Sequence, residues 1–282
     1  MTTGCIDAVI ETGQASALPV RVWRKSSAPR SAPLVFHLHG GAFCQGSFAS
    51  EASSTVPELL AAAGAVVVSA DYPLAPRHPF PDALRTIFDA LKSLQEGRAR
   101  WAGKMSRLFV AGEEAGGNLA ASLTLIARDQ HAPQLDGQIL LSPMLDPCLA
   151  TRSIRRADAG PAGCKWADGW QRYLGSPETA AHPYAAPSQA SRLAGLPPAL
   201  VVTAQDDPMR DETLSYAARL RESGVPVTQH VLPAPTSWPE SLCGADRPQG
   251  SWPAALLGQF IQFFADRAAL LRRPASHPVF QA

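Results

Sequence analysis

Short apolar runs alternate with helical patterns along this chain, and this alternation constrains its fold more than any other feature. Most of the runs are nearly continuous, which is typical of strands covered on both faces; they lie at residues 34–38, 66–70, 108–111, 139–141 and 200–202, with further strands expected at 20–23 and 227–232. Apolar residues recur at helical spacing over residues 82–94, 115–128, 213–221 and 254–271. The pattern predicts an α/β fold with a mostly parallel central sheet and helices on both faces.

Composition narrows the class of protein. The 282 residues are 46% hydrophobic and 17% charged with a net charge of +1, which suits a substantial core and gives no sign of a nucleic-acid or membrane-surface partner. No apolar run approaches the roughly 20 residues of a membrane span, and the first residues lack the pattern of a signal peptide, so we expect a cytoplasmic protein. The five cysteines are scattered, which predicts free thiols and neither a disulfide framework nor a metal site.

One long segment, about residues 147–195, breaks the alternation and has an irregular pattern. It carries the aromatic residues Trp166, Trp170, Tyr173 and Tyr184. We interpret it as a cap insertion over the carboxyl edge of the sheet, where it would wall a pocket. The alternative is a surface excursion whose aromatic side chains only anchor it.

Several motifs occur together in the order of one known family. They are His39–Phe43 directly after an apolar strand, Asp71–Pro76 followed by His78–Pro81, Gly112–Leu119 between a strand and a helix, Leu196–Leu200, and Asp207–Glu212. The combination resembles the hormone-sensitive-lipase-like carboxylesterases of the α/β-hydrolase superfamily. This resemblance implies the α/β-hydrolase fold, and since it covers nearly the whole chain, a single domain over residues 1–282.

The chain departs from that family at its catalytic triad. The family places a nucleophilic serine at the centre of G-x-S-x-G, and Glu114 stands in that position. Asp207 matches the family's acid, whereas Ser237 aligns with the histidine, and no histidine occurs from residue 231 to 276. His230 comes too early and His277 too late to be expected as the base, although the sequence leaves open whether either reaches the site.

The expected oxyanion donors follow from the resemblance. It implies an oxyanion hole formed by the backbone N–H groups of Gly40, Gly41 and Ala115. Six further residues are candidate pocket residues, which are Phe43, Cys44, Glu113, Trp166, Trp170 and Trp238.

The state of the Glu114 side chain decides the expected chemistry. Apolar burial would favour the protonated acid and leave a group for general acid or base catalysis. Backbone donors and the start of the following helix would favour the anion, which would then fold into the oxyanion hole and block it. Both outcomes stay open at this point.

These residues lead to one main functional hypothesis and two alternatives. The main hypothesis is a non-hydrolytic, lyase-like or cyclase-like enzyme that acts on a small carbonyl compound, with Glu114 and Asp207 as the acid/base pair and a retained oxyanion hole. The first alternative is a catalytically silent protein that binds a small molecule, and the second is a residual carboxylesterase. No cofactor is expected, and the family resemblance allows a homodimer.

Overall fold

A computed structural model describes residues 3–13, 16–48, 54–157, 161–243 and 250–270 of the chain. Within these residues the strands form one eight-stranded sheet. The strands are β1 (Thr3–Thr12), β2 (Ser16–Lys25), β3 (Leu34–Leu38), β4 (Val66–Ala70), β5 (Leu108–Glu113), β6 (Gly137–Leu141), β7 (Ala199–Ala204) and β8 (Val227–Leu232).

The strand order is β1-β2-β4-β3-β5-β6-β7-β8. Strands β3 to β8 pair in parallel, and only β1 and β2 run antiparallel to their neighbours. The prediction of a mostly parallel sheet is confirmed. Because parallel strands end at the same edge, the residues that follow β3, β5, β6 and β7 meet at one place.

Helices cover both faces of the sheet. They are α1 (Thr55–Ala62), α2 (Asp82–Glu96), α3 (Arg98–Trp101), α4 (Glu114–Asp129), α5 (Arg152–Ala157), α6 (Pro161–Leu174), α7 (Arg210–Glu222), α8 (Glu240–Cys243) and α9 (Trp252–Leu270). All of the described helices are too short or too polar to cross a lipid bilayer.

Successive residues of the central strands enter two separate cores. Phe36 of β3 and Val110 of β5 belong to the larger core, which includes residues of α2, α4, α6 and α7. Their neighbours Val35 and Phe109 belong to the second core, which includes residues of α1, α8 and α9. Burial on both faces explains why these strands carry continuous apolar runs.

The first strand, β1, has no such run, and the sequence pattern did not predict it. It lies at the edge of the sheet, where Ile6 is 66% exposed. Its register with β2 places Asp7 opposite Arg21, whose Nε lies 2.7 Å from the Asp7 carboxylate. Backbone pairing and this cross-strand ion pair therefore stabilise a strand that buries little apolar surface.

Residues 147–195 are more regular than expected. They contain α5, α6 and two short 3-10 helices, Pro177–Ala181 and Pro187–Gln189. Trp166, Trp170 and Tyr173 form one buried stripe of α6, at a spacing of four and three residues. The irregular interpretation was wrong because the glycines and prolines of this segment hid that helical spacing. The assignment of the segment as a cap insertion stays a prediction.

Candidate active site

The loop after β3 has an unusual backbone. Gly41, Ala42 and Phe43 all have positive φ values, at 125°, 49° and 63°. Such values cost an L-residue about 1–3 kcal/mol, so surrounding contacts must hold the loop in place. One of these contacts is the hydroxyl of Tyr72, which donates to the His39 carbonyl at 2.6 Å.

The turn between β5 and α4 keeps the sharp geometry of a nucleophile elbow. Glu114 has φ = 52° and a fully buried side chain. A β-carbon on Gly116 would lie 2.0 Å from the Leu38 carbonyl oxygen, so only glycine lets α4 approach β3 this closely. The backbone thus places residue 114 where the fold presents a catalytic side chain, although that residue is a glutamate.

The Glu114 carboxylate occupies the anion-binding centre of the loop. Its Oε2 accepts the N–H of Gly41, in a very short hydrogen bond, and the N–H of Ala42 at 2.9 Å. Its Oε1 accepts Trp166 Nε1 at 2.7 Å and lies 3.5 Å from Lys165 Nζ. Three N–H groups and one cation therefore surround a carboxylate that is otherwise shielded from water, as an oxyanion hole surrounds a developing negative charge.

Two further groups border this carboxylate. Burial alone would lower the pKa of Lys165, but the neighbouring charges, chiefly that of Glu114, raise it, and the side chain is 36% exposed. A β-carbon on Gly40 would lie 2.3 Å from Cys243 Sγ and 2.9 Å from Glu114 Oε2, so the thiol packs against the same glycine. Burial and the nearby carboxylates raise the pKa of the Cys243 thiol well above its usual value, which keeps it protonated.

Glu113, the residue before Glu114, forms a hydrogen bond to the same loop. Its Oε1 accepts the Gly40 N–H at 3.1 Å, and its Oε2 lies 2.8 Å from His37 Nε2. The other ring nitrogen of His37 lies 2.9 Å from Ser69 Oγ, and all three side chains are buried. Glu113 was predicted as a pocket residue, but the structure buries its carboxylate between His37 and Gly40.

The predicted oxyanion donors are therefore only partly brought together. Gly41 and Ala42 donate to Glu114, whereas Gly40 donates to Glu113. The Gly40 prediction was wrong because the loop turns between residues 40 and 42, so successive N–H groups face different carboxylates. The role of the Ala115 amide stays a prediction.

Asp207 lies at the same edge of the sheet, beyond β7, and is fully bonded. It accepts hydrogen bonds from the hydroxyls of Ser142, at 2.8 Å, and Thr203, and from the Met209 N–H at 2.8 Å. Burial raises the pKa of Asp207 to about 6, although these donors oppose that shift. The carboxyl group thus stabilises the turn into α7, and its catalytic role stays a prediction.

Ser237 stands on an exposed turn with φ = 56°, and its N–H donates to Asp206 at 3.0 Å. The same Asp206 carboxylate accepts the N–H and hydroxyl of Thr236. His230 lies in β8 beside Val202, and burial lowers the pKa of its ring. His277 lies outside the described residues.

The predicted aromatic pocket residues divide between the site and the two cores. Trp166 reaches Glu114, whereas Phe43 stacks on Tyr173 with ring centroids 4.0 Å apart. Trp170 packs against Phe43, at 5.1 Å between ring centroids. Trp238 packs on a tryptophan of α9 in the second core, so it does not face the elbow, because the turn before α8 directs it to the other side of the sheet.

Cys44 is only partly buried, and burial raises the pKa of its thiol, so the group is protonated at neutral pH. Three residues of the site escaped the sequence analysis. They are Ala42, Lys165 and Cys243, and only Lys165 had a usable signal, as the neighbour of a predicted pocket tryptophan. Among the described residues, no three or more His, Cys, Asp or Glu side chains are grouped so as to hold a metal ion.

Comparisons with known proteins agree with the fold. The model of a family described by its alpha/beta hydrolase fold matches residues 35–236. Esterase LipI of Mycobacterium tuberculosis is 33% identical over 231 residues, which are 80% of this chain and 71% of LipI. Carboxylesterase NlhH of the same organism is 35% identical over 216 residues, or 74% of this chain and 67% of NlhH. The crystal structure of esterase LipW from Mycobacterium marinum superposes with a TM-score of 0.81 at 32% identity, covering 94% of this chain and 82% of LipW.

The chain therefore belongs to the α/β-hydrolase fold family. Its relatives are named as enzymes, which supports the prediction of an enzyme in that general form. The main hypothesis of a non-hydrolytic lyase or cyclase was wrong, because these relatives are named esterases and carboxylesterases. Its chemistry also required a free oxyanion hole and a free Glu114, whereas the structure joins the two to each other.

Proposed function

We propose that this protein is a residual carboxylesterase, which hydrolyses small carboxylic esters slowly and without a serine nucleophile. The observation that carries the proposal is the seat of Glu114 Oε2, where the N–H groups of Gly41 and Ala42 converge on one oxygen atom. An ester carbonyl oxygen in that seat would receive the same two hydrogen bonds. The named activities of the relatives supply the substrate class.

The reaction uses the backbone N–H donors of Gly41 and Ala42 and no serine, because Glu114 stands in the serine position. The ester first displaces the Glu114 carboxylate from Gly41 and Ala42. Water then adds to the carbonyl carbon and gives a proton to solvent, while the carbonyl oxygen becomes an oxyanion bonded to the two amides. Collapse of the tetrahedral intermediate breaks the ester bond, and the departing alkoxide takes a proton from solvent.

The expected rate is modest. A protease that has lost its triad still accelerates hydrolysis roughly 10³–10⁴-fold over water, through its oxyanion hole and substrate binding. Here Glu114 competes with the ester for the same amides, and Trp166 and Lys165 hold it in place. We expect an acceleration of roughly 10- to 10³-fold, below that of the triad-deleted protease.

Hydrolysis of p-nitrophenyl butyrate by the purified chain tests the proposal. We expect slow, saturable release of p-nitrophenol that heat denaturation abolishes. An organophosphate should leave the rate unchanged, because Glu114 provides no hydroxyl at the elbow. Stoichiometric inactivation by the organophosphate would reveal a serine nucleophile and contradict the mechanism.

The second candidate is a catalytically silent protein that binds a small molecule. The observation in its favour is the completeness of the Glu114 contacts, since the carboxylate already satisfies the donors that catalysis needs. A rate no higher than that of the heat-denatured protein would reject the residual esterase and leave this candidate.

A further inference from the structure

The two oxygen atoms of the Glu114 carboxylate have different surroundings. Oε2 accepts the N–H groups of Gly41 and Ala42, which the proposed reaction assigns to the ester carbonyl oxygen. Oε1 instead contacts two side chains of α6, because it accepts Trp166 Nε1–H at 2.7 Å and lies 3.5 Å from Lys165 Nζ. The proposed reaction gives no role to this second oxygen position, which we call the Oε1 site.

The Glu114 carboxylate has the same shape as the ester group that displaces it. Both groups hold two oxygen atoms on one planar carbon atom, so an ester with its carbonyl oxygen in the Oε2 seat has its alkoxy oxygen at the Oε1 site. The attacking water does not take this site, because it approaches the carbonyl carbon from outside that plane. Trp166 and Lys165 present only N–H donors, which suit an alkoxy oxygen that gains negative charge and not a water molecule that must lose a proton.

Lys165 has the position and the charge of a proton donor. Among the described residues, Glu114 is the carboxylate that pairs with its ammonium group, so an ester that displaces Glu114 also frees the Lys165 N–H groups. Burial lowers the pKa of Lys165, but the neighbouring acids, chiefly Glu114 and with a smaller effect Glu240, raise it further, so the ammonium group is protonated at neutral pH. The partial exposure of the side chain lets solvent replace a proton that it donates.

We propose that Lys165 is the general acid of the residual esterase and gives a proton from Nζ to the departing alkoxide, while Trp166 Nε1–H holds the same oxygen atom. This inference rests on the proposed function. Collapse of the tetrahedral intermediate breaks the bond between the carbonyl carbon and the alkoxy oxygen, and the electron pair of that bond goes to the oxygen. One ammonium proton passes to this oxygen, the alcohol leaves, and the neutral amine takes a proton from solvent. Lys165 is thus the route by which the proton of solvent reaches the alkoxide.

Two butyrate esters with different leaving groups test this role. A p-nitrophenolate leaves readily without a proton, whereas the more basic phenolate depends more strongly on a general acid. We expect Lys165→Ala to lower kcat/KM for phenyl butyrate roughly tenfold or more relative to kcat/KM for p-nitrophenyl butyrate. The ratio of the two values is the readout, because both esters displace the same Glu114 carboxylate and any loosening of that carboxylate cancels. An unchanged ratio would overturn the proposal.

Lys165→Arg separates the donation of a proton from the effect of charge. A guanidinium keeps the positive charge but does not give up its proton, so the ratio should fall as it does in Lys165→Ala. A native ratio in Lys165→Arg would show that charge alone is sufficient and would overturn the assignment as general acid. Circular dichroism establishes that each variant is folded, and Lys165→Arg carries the test if Lys165→Ala does not fold.

Lys92→Ala is the matched control, since Lys92 is a half-exposed lysine of α2 that pairs with Asp89 at 2.7 Å. Its ratio should equal that of the native chain. The assay also separates the two proposals. If the native chain hydrolyses neither ester faster than the heat-denatured protein does, the residual esterase fails and the general acid with it. If the native chain hydrolyses both esters and the ratio is unchanged in Lys165→Ala, only the general acid fails.

Discussion

Replacement of Glu114 by alanine is the most informative perturbation of this molecule. It removes the carboxylate from the seat formed by Gly41 and Ala42 and leaves the backbone donors in place. If the carboxylate acts as an internal ligand, the variant should lose stability, gain an empty anion site and hydrolyse esters faster.

The magnitude follows from the contacts. The substitution strips three buried N–H donors, two from the loop and one from Trp166, and each would cost about 1–3 kcal/mol if left dry. Water that enters the vacated space hydrogen-bonds these donors and so recovers part of the lost free energy. The variant also avoids the cost of burying a carboxylate, which is several kcal/mol. We expect a net loss of about 2 kcal/mol in the free energy of unfolding.

Urea unfolding followed by tryptophan fluorescence measures that loss. Acetate offers a second readout, since a free carboxylate should bind the vacated donors. At ten times its dissociation constant, acetate should restore about 1.4 kcal/mol to the variant and nothing to the native chain. Hydrolysis of p-nitrophenyl acetate should rise roughly tenfold or more, because the ester no longer displaces an internal ligand.

Glu240→Ala is the matched control. Glu240 is another carboxylate near Lys165, and it contributes charge to this cluster. Its loss should leave hydrolysis unchanged and create no response to acetate. A Glu114→Ala variant with native stability, unchanged hydrolysis and no acetate effect would refute the assignment of Glu114 as an internal ligand.

Three further experiments test neighbouring parts of the site. The double variant Glu114→Ser, Ser237→His should have a kcat/KM for p-nitrophenyl acetate roughly 100-fold or more above that of Glu114→Ser alone, because the two new residues would rebuild a triad with Asp207. Equal rates would show that residue 237 does not reach the elbow. The pKa of Asp207 is raised from 3.8 to about 6, so its contribution to stability is present at low pH and is lost as the pH rises between these values. Asp207→Asn should therefore reduce the change in the free energy of unfolding over this pH range, measured by urea unfolding, by up to about 3 kcal/mol. An unchanged pH profile would contradict this. Trp166→Phe should cost about 2 kcal/mol more than Trp170→Phe, because both substitutions remove the same ring volume from a buried site but only the Trp166 N–H bonds a carboxylate, while the Trp170 N–H has no partner among the described residues. Equal losses in urea unfolding would argue against the Glu114 contact.

The central fold could be predicted because its strands are buried on both faces. Residues such as Val35 and Phe36 enter opposite cores, so the apolar run that burial requires is visible in the sequence. Strand β1 could not be found this way, because an edge strand with Ile6 exposed is stabilised by its neighbour rather than by burial. Helix α6 was missed because the glycines and prolines of its segment hid the helical spacing of Trp166, Trp170 and Tyr173.

The site could be located but not fully assembled from the sequence. The glycine spacing around residue 114 identified the elbow, and the structure gives Glu114 the φ value that the elbow requires. The choice between Gly40 and Ala42 as a donor depends on loop dihedrals, which no local pattern encodes. Lys165 and Cys243 come from other elements, and only the folded chain brings them beside the carboxylate.

The two consecutive acids of the elbow have a shared consequence for how this protein can change. Glu113 and Glu114 together hold three successive amides, those of Gly40, Gly41 and Ala42. A mutation at the first acid would release the loop and destroy the anion seat, while a mutation at the second would empty the seat and leave it shaped. Faster chemistry can therefore be recovered by a change at residue 114 alone, whereas residue 113 must keep a side chain that accepts the Gly40 N–H.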